Sequence, residues 1–431
     1  MGFANAFQNM ILLFYKLVGS MKRIIILCFL IITSFLFFFM FNKDTESKTA
    51  SEATKSTSET DVKTEKTENK IQGVWLTYSE IGGLVKGKTE DEYKENIETV
   101  MKNLKANKIN TVFYQCRAFC DSLYDSDIFP ASKYITASSS APDFDPFEIF
   151  SEKAEDYEIS VHCWINPYRI SYDNTFGNLP KGSPARELYK NDKSTLIICD
   201  SGIFLNPAHS ESRRLVLSGI REIISKYKVS GIHFDDYFYP EEEKLNDDKM
   251  YKEYKEQGGM LSLADWRREN VNVLVSLVYS LVKEYDESLL FSISPSADIE
   301  KCKNTFYGDV EKWCNEEGFV DFVVPQIYYG FVNEEMPFEE VLREWCVLSE
   351  NSDTKLVLGM ASYKCGREDE FAGNGKNEWK ENVNILSRQY EQALKSQACQ
   401  GFSLFSYSYC FGENVNEISK KEIKKLLYMV E

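Results

Sequence analysis

The sequence predicts a closed (β/α)8 TIM barrel, preceded by an apolar segment and a polar linker. Two observations predict it: from Ile71 to the C-terminus eight short apolar runs occur, and amphipathic stretches with apolar residues at spacings of three and four lie between and after them. Apolar residues at spacings of three and four mark the helices, while short apolar runs bounded by turn residues mark strands. An open doubly wound sheet ordinarily stops at about five to seven strands, so eight repeats favour a sheet closed on itself.

In order, the strands are Gly73 to Thr77, Asn110 to Gln115, Ser160 to Ile165, Gly231 to Asp235, Leu289 to Ser294, Val320 to Ile327, Lys355 to Ala361 and Gly401 to Ser406. Helices are expected over Asp91 to Ala106, Pro146 to Tyr157, Ser210 to Lys228, Asp265 to Lys283, Phe338 to Leu348, Glu378 to Lys395 and Glu417 to Val430, with a weaker one over Gly308 to Glu316.

Ahead of the barrel, residues 24 to 41 form an uncharged run preceded by Lys16, Lys22 and Arg23. The run is long enough to span a bilayer marginally, and its basic flank puts residues 1 to 23 in the cytoplasm. No small-x-small cleavage site directly follows, which favours a single-pass signal anchor over a cleaved signal peptide and a secreted protein. Met21 opens a Met-Lys-Arg start typical of such a segment. Residues 42 to 70 are mostly Lys, Glu, Ser and Thr with balanced charge, a disordered linker with nothing to bury. The barrel, residues 71 to 431, is then expected outside the cell membrane.

Composition narrows the function classes. The 431 residues are 43% hydrophobic and 27% charged, too apolar for a disordered chain or a fibre. Acidic residues outnumber basic ones 67 to 50, giving a formal charge of −17 with no basic stripe, which speaks against nucleic acid as a partner. Aromatic residues make up 14% of the chain, a supply suited to stacking on sugar rings. Eleven cysteines are scattered singly, without the CxxC pairs of a zinc ribbon. No cofactor is called for, and a monomer is the expected state.

Active sites of (β/α)8 barrels lie at the C-terminal ends of the strands, and alternation along each strand selects the residues that point inward. In Gly231-Ile232-His233-Phe234-Asp235-Asp236-Tyr237 the apolar Ile232 and Phe234 face the helices. His233 and Asp235 therefore face inward, and Asp236 lies at the strand exit. The same test puts His162, Trp164 and Asn166 inside on the third strand, Gln115 and Arg117 on one face of the second, and Gln326 and Tyr328 on one face of the sixth.

Each of these residues also has a plainer role. A carboxylate at a strand end caps the next element or pairs with an arginine such as Arg117 or Arg169. Two adjacent acids in an apolar strand cost stability, however, and need a reason. Trp164 serves equally as core or as a sugar platform. His162 and His233, two of three histidines, fall on neighbouring inner faces and suggest a metal pair. A divalent-metal barrel would also carry His-x-His on its first strand, where Trp75-Leu76-Thr77 stands, so no metal is expected.

Several segments occur in a telling order: Gly73-Val74-Trp75-Leu76, Gln115-Cys116-Arg117, Asp145-Pro146-Phe147, Trp164-Ile165-Asn166-Pro167-Tyr168-Arg169, Leu205-Asn206-Pro207, Gly231 through Pro240, Pro325-Gln326-Ile327-Tyr328 and Leu404-Phe405-Ser406-Tyr407. Together they resemble the glycosyl hydrolase-like 10 family of bacterial cell-envelope proteins, from about Ile71 to the C-terminus. The resemblance implies a barrel glycoside hydrolase linked to peptidoglycan glycan strands and often tethered to the envelope. Two stretches depart from the family pattern. Gln115-Cys116-Arg117-Ala118 stands where Gln-Val-Arg-Pro is frequent, and Ser294-Pro295-Ser296-Ala297 where Ser-Pro-Phe-Gly is frequent. Both lie near the mouth and bear on substrate preference more than on fold.

Glycoside cleavage normally needs two carboxyl groups across the scissile bond. Asp235 is the expected nucleophile or base, because many sugar-cleaving barrels, to which this family is similar, place theirs after the fourth strand. Asp236 and Glu80, the latter just after the first strand, are the alternatives for the acid. Asp298 on a loop and Asp321 at the start of its strand are weaker choices. Arg117 and Arg169 are placed to hold a substrate carboxylate, and Asn166, Asn206 and Gln326 to bind hydroxyl or N-acetyl groups, with Gln115, His162 and His233 beside them. Trp164, Tyr168, Tyr237 and Tyr328 are placed to stack on sugar faces. The expected function is hydrolysis of O-glycosidic bonds in a cell-envelope polysaccharide, peptidoglycan glycan strands foremost. Two rival readings are a non-catalytic glycan-binding barrel and a metal-dependent amino-sugar deacetylase using His162, His233 and Asp235.

Overall fold

The structure, a computed structural model, describes residues 70–430 apart from 138–139, 243–244 and 351. The expected membrane segment at 24 to 41 and nearly all of the linker lie outside the described residues. Eight parallel strands form the barrel wall: β1 (Ile71–Leu76), β2 (Thr111–Arg117), β3 (Ser160–Ile165), β4 (Gly231–Phe234), β5 (Leu290–Ile293), β6 (Phe322–Val323), β7 (Lys355–Met360) and β8 (Cys399–Leu404). They close in the order β1-β8-β7-β6-β5-β4-β3-β2, so every strand pairs with its sequence neighbours and β8 returns to β1. All eight expected strands are present. Only β6 is much shorter than its apolar run; Pro325 has no N–H to give the ladder, which resumes after it as single bridges at Gln326.

Helices pack outside, and their sequences say why they begin where they do. Thr89 and Glu92 form a capping box at the start of α2 (Glu90–Ala106), which follows the short α1 (Tyr78–Val85). Tyr93, Ile97, Val100, Met101 and Leu104 then turn one stripe of α2 toward the strands. α3 (Pro146–Asp156) starts from the Asp145 side chain with Pro146 in its first turn. α4 (Ser210–Lys226), α5 (Leu263–Tyr285), α6 (Phe338–Glu350), α7 (Ile385–Ala393) and α8 (Glu417–Tyr428) continue the ring. Most of the core lies between strands and helices, and a smaller cluster of Trp75, Phe113, Trp164, Phe322, Val324 and Val357 fills the barrel itself.

Two parts differ from expectation. The single helix expected over Glu378 to Lys395 divides into Glu378–Glu381 and α7. The Glu378 carboxylate is drawn to the backbone N–H groups of Phe331 and Val332, while Glu422 of α8 accepts from Ile385 N and Leu386 N at 2.8 and 3.1 Å. That distant carboxylate satisfies donors the new helix start would otherwise leave unpaired. A three-stranded antiparallel sheet of Arg169–Ser171, Leu196–Cys199 and Gly202–Leu205 also follows β3, unforeseen in the sequence. Among the described residues no helix is long and apolar enough to cross a membrane, and the ten described cysteines are free thiols.

Candidate active site

The barrel interior is layered. In its middle, Phe113 of β2 stands opposite His162 of β3, and Trp164 stands opposite His233 of β4. Gly231 makes room there: a Cβ at that position would collide with the Leu290 carbonyl and the His162 ring. Trp75 Nε1 donates to His233 Nε2 at 3.2 Å, which leaves the proton on Nδ1 to be donated to Ser292 Oγ at 2.8 Å. Burial pushes the His162 imidazole down to about 4 and that of His233 well below its ordinary value. Both are neutral packing groups, and they lie off the cavity rather than in contact with it. With both His233 nitrogens engaged, the set His162, His233 and Asp235 expected of a metal deacetylase is not assembled. No group of three His, Cys, Asp or Glu side chains among the described residues is arranged to hold a metal.

Above this layer a cavity of about 460 Å³ opens at the C-terminal ends of the strands. Of the residues expected there, Glu80, Gln115, Trp164, Arg169, Asp235, Tyr237, Gln326 and Tyr328 line it. Asp235 is 3% exposed; its Oδ1 accepts from Tyr237 N at 3.3 Å, and its Oδ2 is buried without a partner. Burial pushes its carboxyl up to about 8, with the Arg169 charge opposing and the Asp236 charge reinforcing the rise. The Asp236 carboxyl, also raised by burial, to about 6, lies just off the cavity and accepts from Gln326 Nε2 at 3.3 Å. Gln326 shares that amide with the Ser294 carbonyl at 3.0 Å.

Glu80 is fully engaged. Its Oε2 accepts from Thr77 N and Thr77 Oγ1, each at 2.8 Å, and its Oε1 from Ser406 Oγ at 2.7 Å and Ser408 N at 2.6 Å. Gln115 accepts from Tyr78 N at 2.9 Å and donates to Asn166 Oδ1 at 3.0 Å, so Asn166 supports the wall from behind. Tyr328 packs against Phe405, and Arg169 lies over the rings of Tyr237 and Tyr172.

Three further expectations are corrected. Arg117 does not share a face with Gln115: the register with β3 shifts between them, placing Gln115 opposite Trp164 but Arg117 opposite Ile165. This bulge turns Arg117 outward, where its guanidinium lies 3.8 Å from the Phe129 ring centre. Tyr168 is buried against Phe238. Asn206 caps its own turn, accepting from Ala208 N and donating to the Ser194 carbonyl. Of the weaker carboxylates, Asp298 caps a short helix through Lys301 N, and Asp321 pairs with Lys283 at the opposite end of the barrel.

Sequence reasoning missed Trp75, Tyr78, Tyr172, Phe405, Ser406, Tyr409 and Glu413, all of which line the cavity. Strand-end position was a usable signal for Trp75 and Phe405. Tyr409 and Glu413 come from the segment after β8 that docks on Glu80, and no spacing announces it.

Comparisons with known proteins agree with this architecture. The profile of the family described as glycosyl hydrolase-like 10 matches residues 70–374. The chain is 28% identical over 288 residues to glycosyl hydrolase DigH of Escherichia coli strain K12, covering 62% of this chain and 65% of that protein. It is 27% identical over 326 residues to glycosyl hydrolase YngK of Bacillus subtilis strain 168, covering 71% of this chain and 62% of that protein. It therefore spans less than two thirds of each of these relatives. The PgaB (BpsB) glycoside hydrolase domain from Bordetella bronchiseptica shares the fold with a TM-score of 0.56 at 14% identity, over 83% of this chain and 98% of that one. Alpha-L-fucosidase isoenzyme 2 from Paenibacillus thiaminolyticus shares it with a TM-score of 0.52 at 10% identity, over 84% of this chain and 49% of that one.

Proposed function

The chain belongs to the glycosyl hydrolase-like 10 family, and from that premise we propose that it hydrolyses O-glycosidic bonds in a cell-envelope polysaccharide, with peptidoglycan glycan strands as substrate. The observation that carries the reading is Asp235, a buried carboxyl with one unpartnered oxygen, on a cavity walled by aromatic rings. A carboxyl raised to about 8 keeps its proton at neutral pH. Asp235 then serves as the general acid that protonates the departing glycosidic oxygen, rather than as the nucleophile the strand position suggests. Asp236 helps hold that proton through its charge. Glu80 is saturated with donors, whereas Glu413 is exposed on the same cavity, so Glu413 is assigned to activate the attacking water. Trp164, Tyr237 and Tyr328 supply stacking faces for the sugar.

The uncharged run at residues 24 to 41 and its basic flank support a single-pass anchor that holds a monomeric barrel outside the membrane. The test is to incubate the full chain with purified glycan strands, with and without stem peptides, and to identify products by mass. Sugar release that disappears in Asp235→Asn while glycan binding persists is the expected result. No release from any strand, with binding intact, would instead favour a non-catalytic glycan-binding barrel.

A further inference from the structure

Among the described residues, Arg169 is a buried charged group with no carboxylate in ion-pair contact. It leaves the third barrel strand as the first residue of the antiparallel sheet, lines the cavity and is 6% exposed. Its guanidinium carbon lies 3.9 Å from the Tyr237 ring centre, 4.7 Å from that of Tyr172 and 5.7 Å from that of Phe119. Its Nε is buried without an acceptor. Tyr172 and Tyr78 sense its charge through their phenols. Asp235 and Asp236 sense it too: Asp235, raised to about 8, keeps its proton at neutral pH, and Asp236, raised to about 6, carries a charge but makes no ion-pair contact with the guanidinium.

A guanidinium withdrawn from water needs an acceptor that matches its forked donors. Aromatic faces hold such a group in place without satisfying its N–H bonds. A carboxylate satisfies two of them at once.

We infer that Arg169 is the receptor for a carboxylate carried by the substrate, so that the sugar bound beside Asp235 is acidic. The inference rests on the glycoside hydrolase reading above and narrows its substrate class. Uronic acids and amino sugars bearing a lactyl ether share the required chemistry. Such a substrate also neutralises the charge that favours ionised Asp235, so binding the correct sugar helps the donor keep its proton.

Calorimetric titration of the full chain carrying Asp235→Asn, which does not consume ligand, tests this. The probes are a uronate oligosaccharide, an oligosaccharide containing N-acetylmuramic acid, and each of these after reduction of its carboxyl group to an alcohol. One acidic probe is expected to bind about ten- to a hundredfold more tightly than its reduced form. That probe identifies the source of the carboxylate. Adding Arg169→Gln should erase the preference and Arg169→Lys should retain part of it. Equal affinity for acidic and reduced probes, a preference that survives Arg169→Gln, or no binding of either acidic probe overturns the inference. Should Arg169→Gln fail to fold, the comparison of acidic with reduced probes decides alone. Product release by the unsubstituted chain reports separately on the hydrolase reading.

Discussion

Glu80 Oε1 accepts a hydrogen bond from Ser406 Oγ at 2.7 Å, tying the segment after the first barrel strand to the segment after the last. The bond closes the mouth of the barrel much as β1 and β8 close its wall. It also steadies the segment that brings Tyr409 and Glu413 to the cavity. Glu80→Ala leaves four donors without their acceptor and is expected to destabilise the fold by about 2–4 kcal/mol. Steady-state kinetics should show KM rising more than kcat falls. A collapse of kcat at unchanged KM would instead make Glu80 the proton donor.

Asp235→Asn should lower turnover by about 10²–10⁴-fold with glycan binding retained, as expected for loss of a general acid. The same variant should be more stable than the parent in a particular pH window. A folded-state carboxyl raised to about 8 contributes stability that is present below its unfolded value and lost as pH rises through about 8. The gain from Asn is therefore absent near pH 4, grows toward pH 8 and reaches a few kcal/mol. Denaturant unfolding across that range measures it.

Opposite shifts are expected in the pH profile of kcat/KM. Its basic limb reports ionisation of the Asp235–Asp236 pair, near pH 8 in the parent. Asp236→Asn removes the charge that supports the Asp235 proton and should move the limb to lower pH. Arg169→Gln removes the charge that opposes it and should move the limb to higher pH. Limbs that stay in place would separate Asp235 from the titration that controls turnover.

His233→Ala leaves Trp75 Nε1 and Ser292 Oγ without their partner inside the barrel and opens a void. A loss of about 2–4 kcal/mol in unfolding free energy is expected. Activity per folded molecule should be largely kept, and chelators should not change it. Strong inhibition by a chelator, restored by a divalent ion, would return His233 to a metal-binding role.

Barrel strands and most helices were legible in the sequence because their signals are local. A buried parallel strand is a short apolar run and a helix is a stripe, and each can be read without knowing its neighbours. The inward direction of Asp235 was legible for the same reason, since Ile232 and Phe234 claim the outer face. Arg117 was not, because the bulge that turns it outward exists only in the register of β2 against β3. His162 and His233 have the expected parity but sit off the cavity, since alternation names a side and not a height along the strand. Depth within the barrel follows from how all eight strands stagger when they close. The same closure withdrew Asp235 from water and raised its proton affinity, which decided its proposed role as donor. By itself, then, the sequence determined the order of the strands and the inward direction of Asp235. Tertiary structure decided how deeply each side chain is buried and what it meets there, because burial and register belong to several segments at once.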